Sequence, residues 1–232
     1  MMKELKEARK RSVDNLQRLY TVVVSLAVAE SLKGLLKDFG IHGTIASYQE
    51  WLMFVSLIFT VVPFYHGANR YLDSTYVTEE RSAKHYALMI DFIMLFLEGL
   101  LFFGLAMVLT NEALFYTVLA SLFLLDIVWV GFTNITATSK QDRMPGYAKW
   151  ASINVLAMAA LLVFVWSNIL NWQFWQSDTV RSIALVIVAV ARTVFDYLIV
   201  WRFYYPEDSE TKFDNIPAPF PAPLPTKGDR RK

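Results

Sequence analysis

The chain has 232 residues, of which 55% are apolar, 15% are aromatic and 19% are charged, with a formal net charge of +1. Soluble proteins carry about 45–50% apolar and about 25% charged residues, so this composition indicates a membrane protein. A net charge so close to zero gives no reason to expect nucleic acid as a partner. Because the chain has no cysteine, disulfides, thiolate metal ligands and cysteine nucleophiles are excluded.

Six apolar blocks approach or reach the roughly 20 helical residues that cross a hydrocarbon core about 30 Å thick. They are Leu19–Leu36, Trp51–Arg70, Tyr86–Thr110, Ala113–Ile135, Trp150–Leu170 and Ser182–Tyr204. Residues 1–18 are predicted to form a charged cytoplasmic helix that runs into the first block. The sequence therefore predicts an all-α, polytopic membrane protein with six transmembrane helices within residues 19–205.

Basic residues alternate along the segments between the blocks. Six precede the first block, whereas the connection at Asn111–Glu112 has none. Since cytoplasmic loops accumulate Lys and Arg, this alternation predicts that both termini are cytoplasmic. The long, basic, amphipathic start is unlike a cleavable signal peptide. We expect the cell membrane, specifically a bacterial inner membrane, as the location.

The tail at residues 206–232 has proline at every second position from Pro217 to Pro225. Such sequence favours extended polyproline geometry and a largely disordered cytoplasmic segment. One interpretation is a docking peptide for a protein partner. The other is an unstructured tail without a binding role, because this spacing never gives the PxxP pattern.

Five carboxylates lie inside the apolar blocks, with one cation, Arg192, at comparable depth. The carboxylates are Glu30, Asp91, Glu98, Asp126 and Asp196. A charge at membrane depth costs at least a few kcal/mol (roughly 2.5 or more) unless it is paired, neutralised or hydrated. Such residues therefore mark sites or pathways, and here they predict an acidic interior.

Helical spacing predicts which of these charges are neighbours. Asp91 and Glu98 are seven residues apart and share a face, and Arg192 and Asp196 form an i, i+4 pair. Asp91, Glu98 and Asp126 have no cation on their own helix. The negative surplus requires protonation, a bound cation or water to compensate it.

Other polar residues fall at the edges of this group. His66, Arg70 and Asp73 form an i, i+4, i+7 stripe in the cytoplasmic half of the second helix. One interpretation places His66 and Arg70 at the mouth of the expected cavity, and the other is an interfacial belt that contacts lipid phosphates. Asn154 on the fifth helix is a neutral hydrogen-bonding partner. Glu30 has Lys33 as an i, i+3 neighbour, and this pair is also explained by snorkelling to the outer interface.

We therefore hypothesise a transporter or channel for a cation, a proton or a small cationic solute, with an acidic cavity open to the cytoplasm. The residues predicted for the pathway are Asp91, Glu98, Asp126, Asp196, Arg192, His66, Arg70, Asn154 and Glu30. The main alternative is a non-catalytic membrane subunit or signalling scaffold whose buried charges specify helix packing. A third is an enzyme that acts on lipid headgroups through His66, although no HxxxH, DxxxD or GxSxG motif supports it.

No cofactor is predicted, and no metal ligands are assigned. A haem held by His66 and His85 is disfavoured because the two are poorly placed as axial ligands. Oxygen ligands alone would suit a hard cation. The predicted partners are the lipid bilayer, the transported cation, proton or solute, a protein bound to the tail, and a second copy of the chain as a homo-oligomer.

Overall fold

A computed structural model describes residues 2–42, 46–78, 86–136, 147–169 and 177–205, and in this part of the chain all regular structure is helical. The helices are α1 (Met2–His42), α2 (Tyr48–Asp73), α3 (Ala87–Met107), α4 (Glu112–Thr136), α5 (Tyr147–Ile169), α6 (Asp178–Ile199) and α7 (Trp201–Tyr204). A π-helical segment, Ser74–Thr78, continues α2. The predicted tail at 206–232 lies outside the described residues.

Six helices are long and apolar enough to cross a membrane, which matches the predicted number. Their candidate spans are Lys6–Leu36, Tyr48–Val77, Ala87–Met107, Glu112–Ile135, Tyr147–Trp166 and Asp178–Ile199. Many of the side chains that point away from the bundle are also apolar, among them Leu156 and Leu198. The all-α prediction is confirmed for the described residues, and the six apolar helices are compatible with a multi-pass membrane protein.

Helix α1 has 41 residues, which corresponds to a length of about 60 Å. The predicted charged helix and the first apolar block are thus one continuous helix. Its buried side chains recur every three or four residues, as on one face of a helix. They include Val13, Leu16, Tyr20, Val24 and Ala27. This buried stripe attaches the first span to the bundle even though Glu30 and Lys33 interrupt its apolar sequence.

Helix α2 begins at Tyr48, three residues before the predicted start at Trp51. A capping box explains the difference. The Glu50 backbone N–H donates to Ser47 Oγ at 3.3 Å, and the Ser47 backbone N–H donates to Glu50 Oε2 at 2.6 Å. These bonds satisfy backbone groups that the first helical turn leaves without partners.

The last predicted span, Ser182–Tyr204, is not one helix. Helix α6 begins earlier, at Asp178, and ends at Ile199 because Val200 adopts φ −110° and ψ 17°. Four residues then form α7. In a straight helix, positions 196 and 204 would be about 12 Å apart along the axis. The break lets Tyr204 fold back and contact Asp196.

The six long helices form a closed ring in which α1 is followed by α3, α4, α5, α6 and α2, and α2 contacts α1 again. Gln17 bonds to Asn69 and Thr21 to Tyr65, so α1 and α2 are antiparallel. One end of the bundle therefore holds the start of α1 and the ends of α2, α4 and α6. We call this the basic end, and the other the opposite end.

The two halves of the bundle interior differ in polarity. Toward the opposite end the largest fully buried side chains are apolar, including Leu57, Phe102, Phe115, Leu119, Leu161 and Leu185, and small hydroxyl side chains such as Ser56 and Thr60 are buried among them. At mid-height, the Phe64 ring contacts Phe102 edge-on at 5.7 Å and stacks on Phe123 at 6.0 Å. The four buried carboxylates and Arg192 lie at this level and below it, toward the basic end.

Candidate functional site

Four carboxylates predicted for the pathway are buried in the bundle. Asp91, Glu98 and Asp126 are each 2% exposed, and Asp196 is 0% exposed. They come from α3, α4 and α6. Burial of this degree removes them from water, so protein groups must supply their hydrogen bonds.

Glu98 is bonded to the first helix. Tyr20 Oη on α1 donates to Glu98 Oε2 at 2.9 Å. The ring of Tyr20 stacks on Tyr65 of α2 at 6.0 Å, and the Tyr65 hydroxyl shares a hydrogen bond of 2.9 Å with Thr21. Glu98 therefore lies at mid-height, where α1 and α3 meet.

Asn154 stands between two opposite charges. Its Nδ2 donates to Asp126 Oδ2, and its Oδ1 accepts a hydrogen from Arg192 Nε at 3.0 Å. The Arg192 guanidinium lies over the Phe64 ring at 4.5 Å and near the Phe123 ring at 5.6 Å. Aromatic faces attract cations, so these two rings help to stabilise a charge that lies away from water.

Asp196 contacts the C-terminal helix. Tyr204 Oη donates to Asp196 Oδ2 at 2.7 Å. The distance from Arg192 Nη1 to the same oxygen is 3.9 Å, so the two predicted neighbours form an ion pair without a hydrogen bond. His66 Nδ1 lies 3.1 Å from Tyr197 Oη, and its ring is 4.7 Å from the Tyr204 ring.

These groups form one continuous series, which we call the polar chain. Its members are Tyr20, Glu98, Asp126, Asn154, Arg192, Asp196, Tyr204 and His66. Hydrogen bonds and one ion pair join Asp126 through Asn154, Arg192 and Asp196 to Tyr204, whose ring contacts the His66 ring. Glu98 and its donor Tyr20 form the mid-height end of the series. The polar chain runs from the middle of the bundle to its basic end.

Several atoms of the polar chain lack a hydrogen-bond partner among the described residues. They are Asp126 Oδ1, Asp196 Oδ1, Arg192 Nη1 and Arg192 Nη2. A buried charged group without full hydrogen bonding costs several kcal/mol, of order 3–5 when an ion-pair partner is missing. The two spare carboxylate oxygens are positions where a proton can add.

Asp91 is separate from the polar chain, although it shares α3 with Glu98. Tyr76 Oη donates to its Oδ2 at 2.6 Å, and Trp129 Nε1 donates to its Oδ1 at 2.9 Å. Both oxygens are thus satisfied, one from the π-helical segment and one from α4. Asp91 ties three elements together near the basic end.

The remaining predicted residues lie at the edges. Arg70 donates through Nε to the Phe203 carbonyl at 2.9 Å and pairs with Asp73 at 3.2 Å. Glu30 pairs with Lys33 at 3.1 Å on an exposed surface, so the structure does not bring Glu30 to the polar chain. In the part of the chain that the structure describes, neighbouring helices cover the carboxylates that were expected to line a cavity open to the cytoplasm.

The sequence did not reveal most of the neutral partners. Tyr20, Tyr76, Trp129 and Tyr204 each donate to a buried carboxylate. The available signal was a phenol or indole in an apolar helix, since buried Tyr and Trp usually find a hydrogen-bond partner. The sequence gives no pairing for them, because a helix can be rotated to present either face.

A second ionic cluster ties α4 to α6 at the opposite end. Arg181 Nε donates to Glu112 Oε1 at 3.0 Å and its Nη2 donates to Oε2 at 2.9 Å. Tyr116 Oη also donates to Glu112, and Asp178 pairs with Arg181. Arg181 and Glu112 both lie outside the predicted apolar blocks, yet Arg181 is buried. This bidentate pair joins α4 to α6 at the end of the bundle that lies away from the polar chain.

No family model, curated protein or solved structure matches this chain. Its function is therefore inferred from the chemistry of the buried groups. Among the described residues, no group of three or more His, Asp or Glu side chains is arranged to hold a metal ion. The carboxylates of the polar chain instead face hydroxyl, amide and guanidinium donors, an arrangement that can hold and exchange protons.

Proposed function

We propose that this protein is a multi-pass membrane carrier in which the polar chain takes up and releases protons, or a small cation, from the basic end. The observation that carries the proposal is the excess of buried carboxylates. Among the described residues four carboxylates and two arginines are buried, and one of these, Arg181, is bound to Glu112 at the opposite end. Arg192 alone is left to balance Glu98, Asp126 and Asp196.

The proton is the ion that this chemistry favours. A hard metal cation such as Ca²⁺ takes about 6–8 oxygen ligands, and the carboxylate oxygens here accept hydrogen bonds instead. Asp126 and Asp196 each keep one oxygen without a partner. Buried carboxyl groups whose protonation changes with solvent access are the parts that a proton-coupled carrier needs.

The opposite half of the bundle supports a carrier rather than an open channel. Leu57, Leu119 and Leu185 are at most 1% exposed and lie above the polar chain. Arg181 and Glu112 join α4 to α6 at that end. Ser56 and Thr60, which are also buried in that half, donate to carbonyls of their own helix. The leucine layers therefore lie between Glu98 and the Arg181–Glu112 pair, and a conformational change is required to complete transport.

The proposed orientation places the basic end in the cytoplasm. Arg9, Lys10 and Arg11 on α1 are exposed at that end. Cytoplasmic flanks of membrane helices are enriched in Lys and Arg, so both termini are assigned to the cytoplasm. The proposed location is a bacterial inner membrane. Two further points remain predictions: that the tail docks to a protein partner, and that the chain forms a homo-oligomer.

A packing scaffold is the second candidate, and Asp91 is the observation that favours it. Tyr76 and Trp129 satisfy both of its oxygens. A buried polar group that is fully bonded can serve to fix which helices meet. If every buried carboxylate acted this way, neutral replacements would lower stability and leave ion movement unchanged.

Proton flux into proteoliposomes that contain a pH-sensitive dye separates the two candidates. Glu98→Gln and Asp126→Asn remove a titrating oxygen and keep the side-chain size. We expect both to abolish flux driven by an imposed potential. Glu50→Gln is the matched control, because Gln also fits a capping box. Flux that is unchanged in both pathway variants, in correctly folded protein, would remove the transport proposal.

A further inference from the structure

The short helix α7 (Trp201–Tyr204) folds back at the basic end and covers the last carboxylate of the polar chain. Tyr204 is only 5% exposed although it lies near the end of the described chain. Its hydroxyl reaches Asp196 Oδ2 at 2.7 Å. Burial, followed by the nearby Asp196 charge, raises the pKa of Tyr204 well above its usual range, so the phenol keeps its proton and is the donor.

A second bond holds α7 against a different helix. Arg70 Nε on α2 donates to the Phe203 carbonyl at 2.9 Å. This carbonyl lies near the end of α7, where backbone acceptors have no partner within the helix. Helix α7 is thus bonded to α2 through its backbone and to α6 through the Tyr204 side chain.

Gly67 on α2 provides the space in which Tyr204 sits. A Cβ at this position would lie 3.3 Å from Tyr204 Oη and 3.8 Å from Trp150. The 3.3 Å separation from Tyr204 Oη is tighter than an ordinary van der Waals contact, so a side chain at position 67 would press on the hydroxyl that bonds Asp196. The His66 ring covers the same region, 4.7 Å from the Tyr204 ring and 5.6 Å from the Tyr205 ring.

Helix α7 is set off from α6 by a break in the helix. The α-helical hydrogen bonding of α6 stops at Ile199, and Val200 takes a non-helical conformation. Beyond the break, Phe203 and Tyr204 pack in one buried cluster with Val130 of α4 and Trp150 of α5. The ring closes through contacts between the six long helices, so displacing the four residues of α7 would uncover the cluster and leave the contacts of the ring in place.

We propose that α7 is a plug that closes the basic end of the polar chain, and that its release opens Asp196 and His66 to water. The coverage of Asp196 by α7 is argued from the contacts of α7 alone. The effect of α7 on proton flux rests on the proposed function above. Tyr204 contributes to the closed state, because its hydroxyl occupies Asp196 Oδ2. The hydrogen bond from Arg70 to the Phe203 carbonyl holds α7 in the closed position.

Carboxylate accessibility in the purified full-length protein tests the plug without any transport assay. A water-soluble carbodiimide with glycine methyl ester modifies carboxylates that water reaches, and mass spectrometry locates the product. We expect Asp196 labelling to rise roughly tenfold in Tyr204→Phe, the factor that corresponds to losing about 1.4 kcal/mol of closed-state stability. Asp91 is the internal reference, since none of its partners is changed.

Arg70→Gln separates movement of the plug from a local effect on Asp196. It removes the bond to the Phe203 carbonyl and leaves the bond between Tyr204 and Asp196 unaltered. We expect increased Asp196 labelling here as well. Asp73→Asn is the matched control, because it weakens the Arg70–Asp73 pair but keeps the bond to α7. Labelling that rises in Tyr204→Phe alone would show a local hydrogen-bond effect and overturn the plug.

Flux measured on the same variants distinguishes failure of the plug from failure of the proposed function. Increased labelling with faster proton flux supports both. Increased labelling with no flux in any variant keeps the plug and removes the carrier. Unchanged labelling in Tyr204→Phe and Arg70→Gln, with wild-type flux present, removes the plug and keeps the carrier. Gly67→Ala, which presses on Tyr204 from α2, should match Arg70→Gln if the plug is real.

Discussion

Tyr20 on α1 donates its hydroxyl hydrogen to Glu98 on α3 across 2.9 Å, joining residues 78 positions apart in the chain. This bond gives the first helix a defined place in the bundle. In sequence, the first span is the weakest of the six, because Glu30 and Lys33 interrupt it. The structure places that charged pair on the exposed side of α1 and turns Tyr20 inward.

Replacing Tyr20 with Phe removes the donor to Glu98 and keeps the ring. We expect the free energy of unfolding in mixed detergent micelles to fall by about 1–2 kcal/mol. This exceeds the average of about 0.6 kcal/mol for hydrogen bonds between membrane helices, because the acceptor is a buried carboxylate. Tyr48→Phe is the control, since Tyr48 is exposed at the opposite end. Equal effects of the two substitutions would contradict the assignment.

Arg192→Gln removes the cation of the polar chain. Asp126 and Asp196 then lack a nearby positive charge, and breaking a buried ion pair costs about 3–5 kcal/mol. We expect a loss of that order in the same unfolding assay. The double variant with Asp196→Asn should recover part of it, because the uncompensated charge is also removed. If the two losses simply add, Arg192 and Asp196 do not interact as described.

The ion pair at the opposite end should matter more than the exposed pair on α1. Arg181 is 7% exposed and bonds Glu112 through two nitrogens, whereas Lys33 is 74% exposed. We expect Arg181→Gln to cost about 1.5–3 kcal/mol and Lys33→Gln at most about 0.5 kcal/mol. High salt should reduce only the Lys33 contribution, since exposed charges are screened. Comparable losses would mean that the Arg181 pair is hydrated.

The natural absence of cysteine makes the orientation directly measurable. Position 46 lies at the opposite end, and position 148 is exposed at the basic end. Ala46→Cys and Ala148→Cys therefore place one reactive thiol at each end. In oriented membrane vesicles, we expect an impermeant maleimide to label position 148 only from the cytoplasmic side and position 46 only from the other. Labelling of both from one side would contradict the odd number of spans, α2, α3 and α4, that lies between them.

The structure places some of the nine predicted pathway residues together and others apart. The reason is that a single sequence encodes depth along a helix but not the rotation of the helix. Depth along a helix is local information, so the heights of Glu98, Asp126 and Asp196 along their helices follow from counting residues. Rotation about each helix axis depends on packing with neighbours. It turned Glu30 outward toward Lys33 and placed Asp91 between donors from two other elements.

The sequence by itself determined six apolar helices and the depth of the charges, because length, hydropathy and residue count act within one segment. Only the tertiary structure decided the partners. Asn154 stands between Asp126 and Arg192, and the break at Val200 returns Tyr204 to Asp196. These contacts join different helices, and their geometry depends on how the ring closes, so no local pattern specifies them.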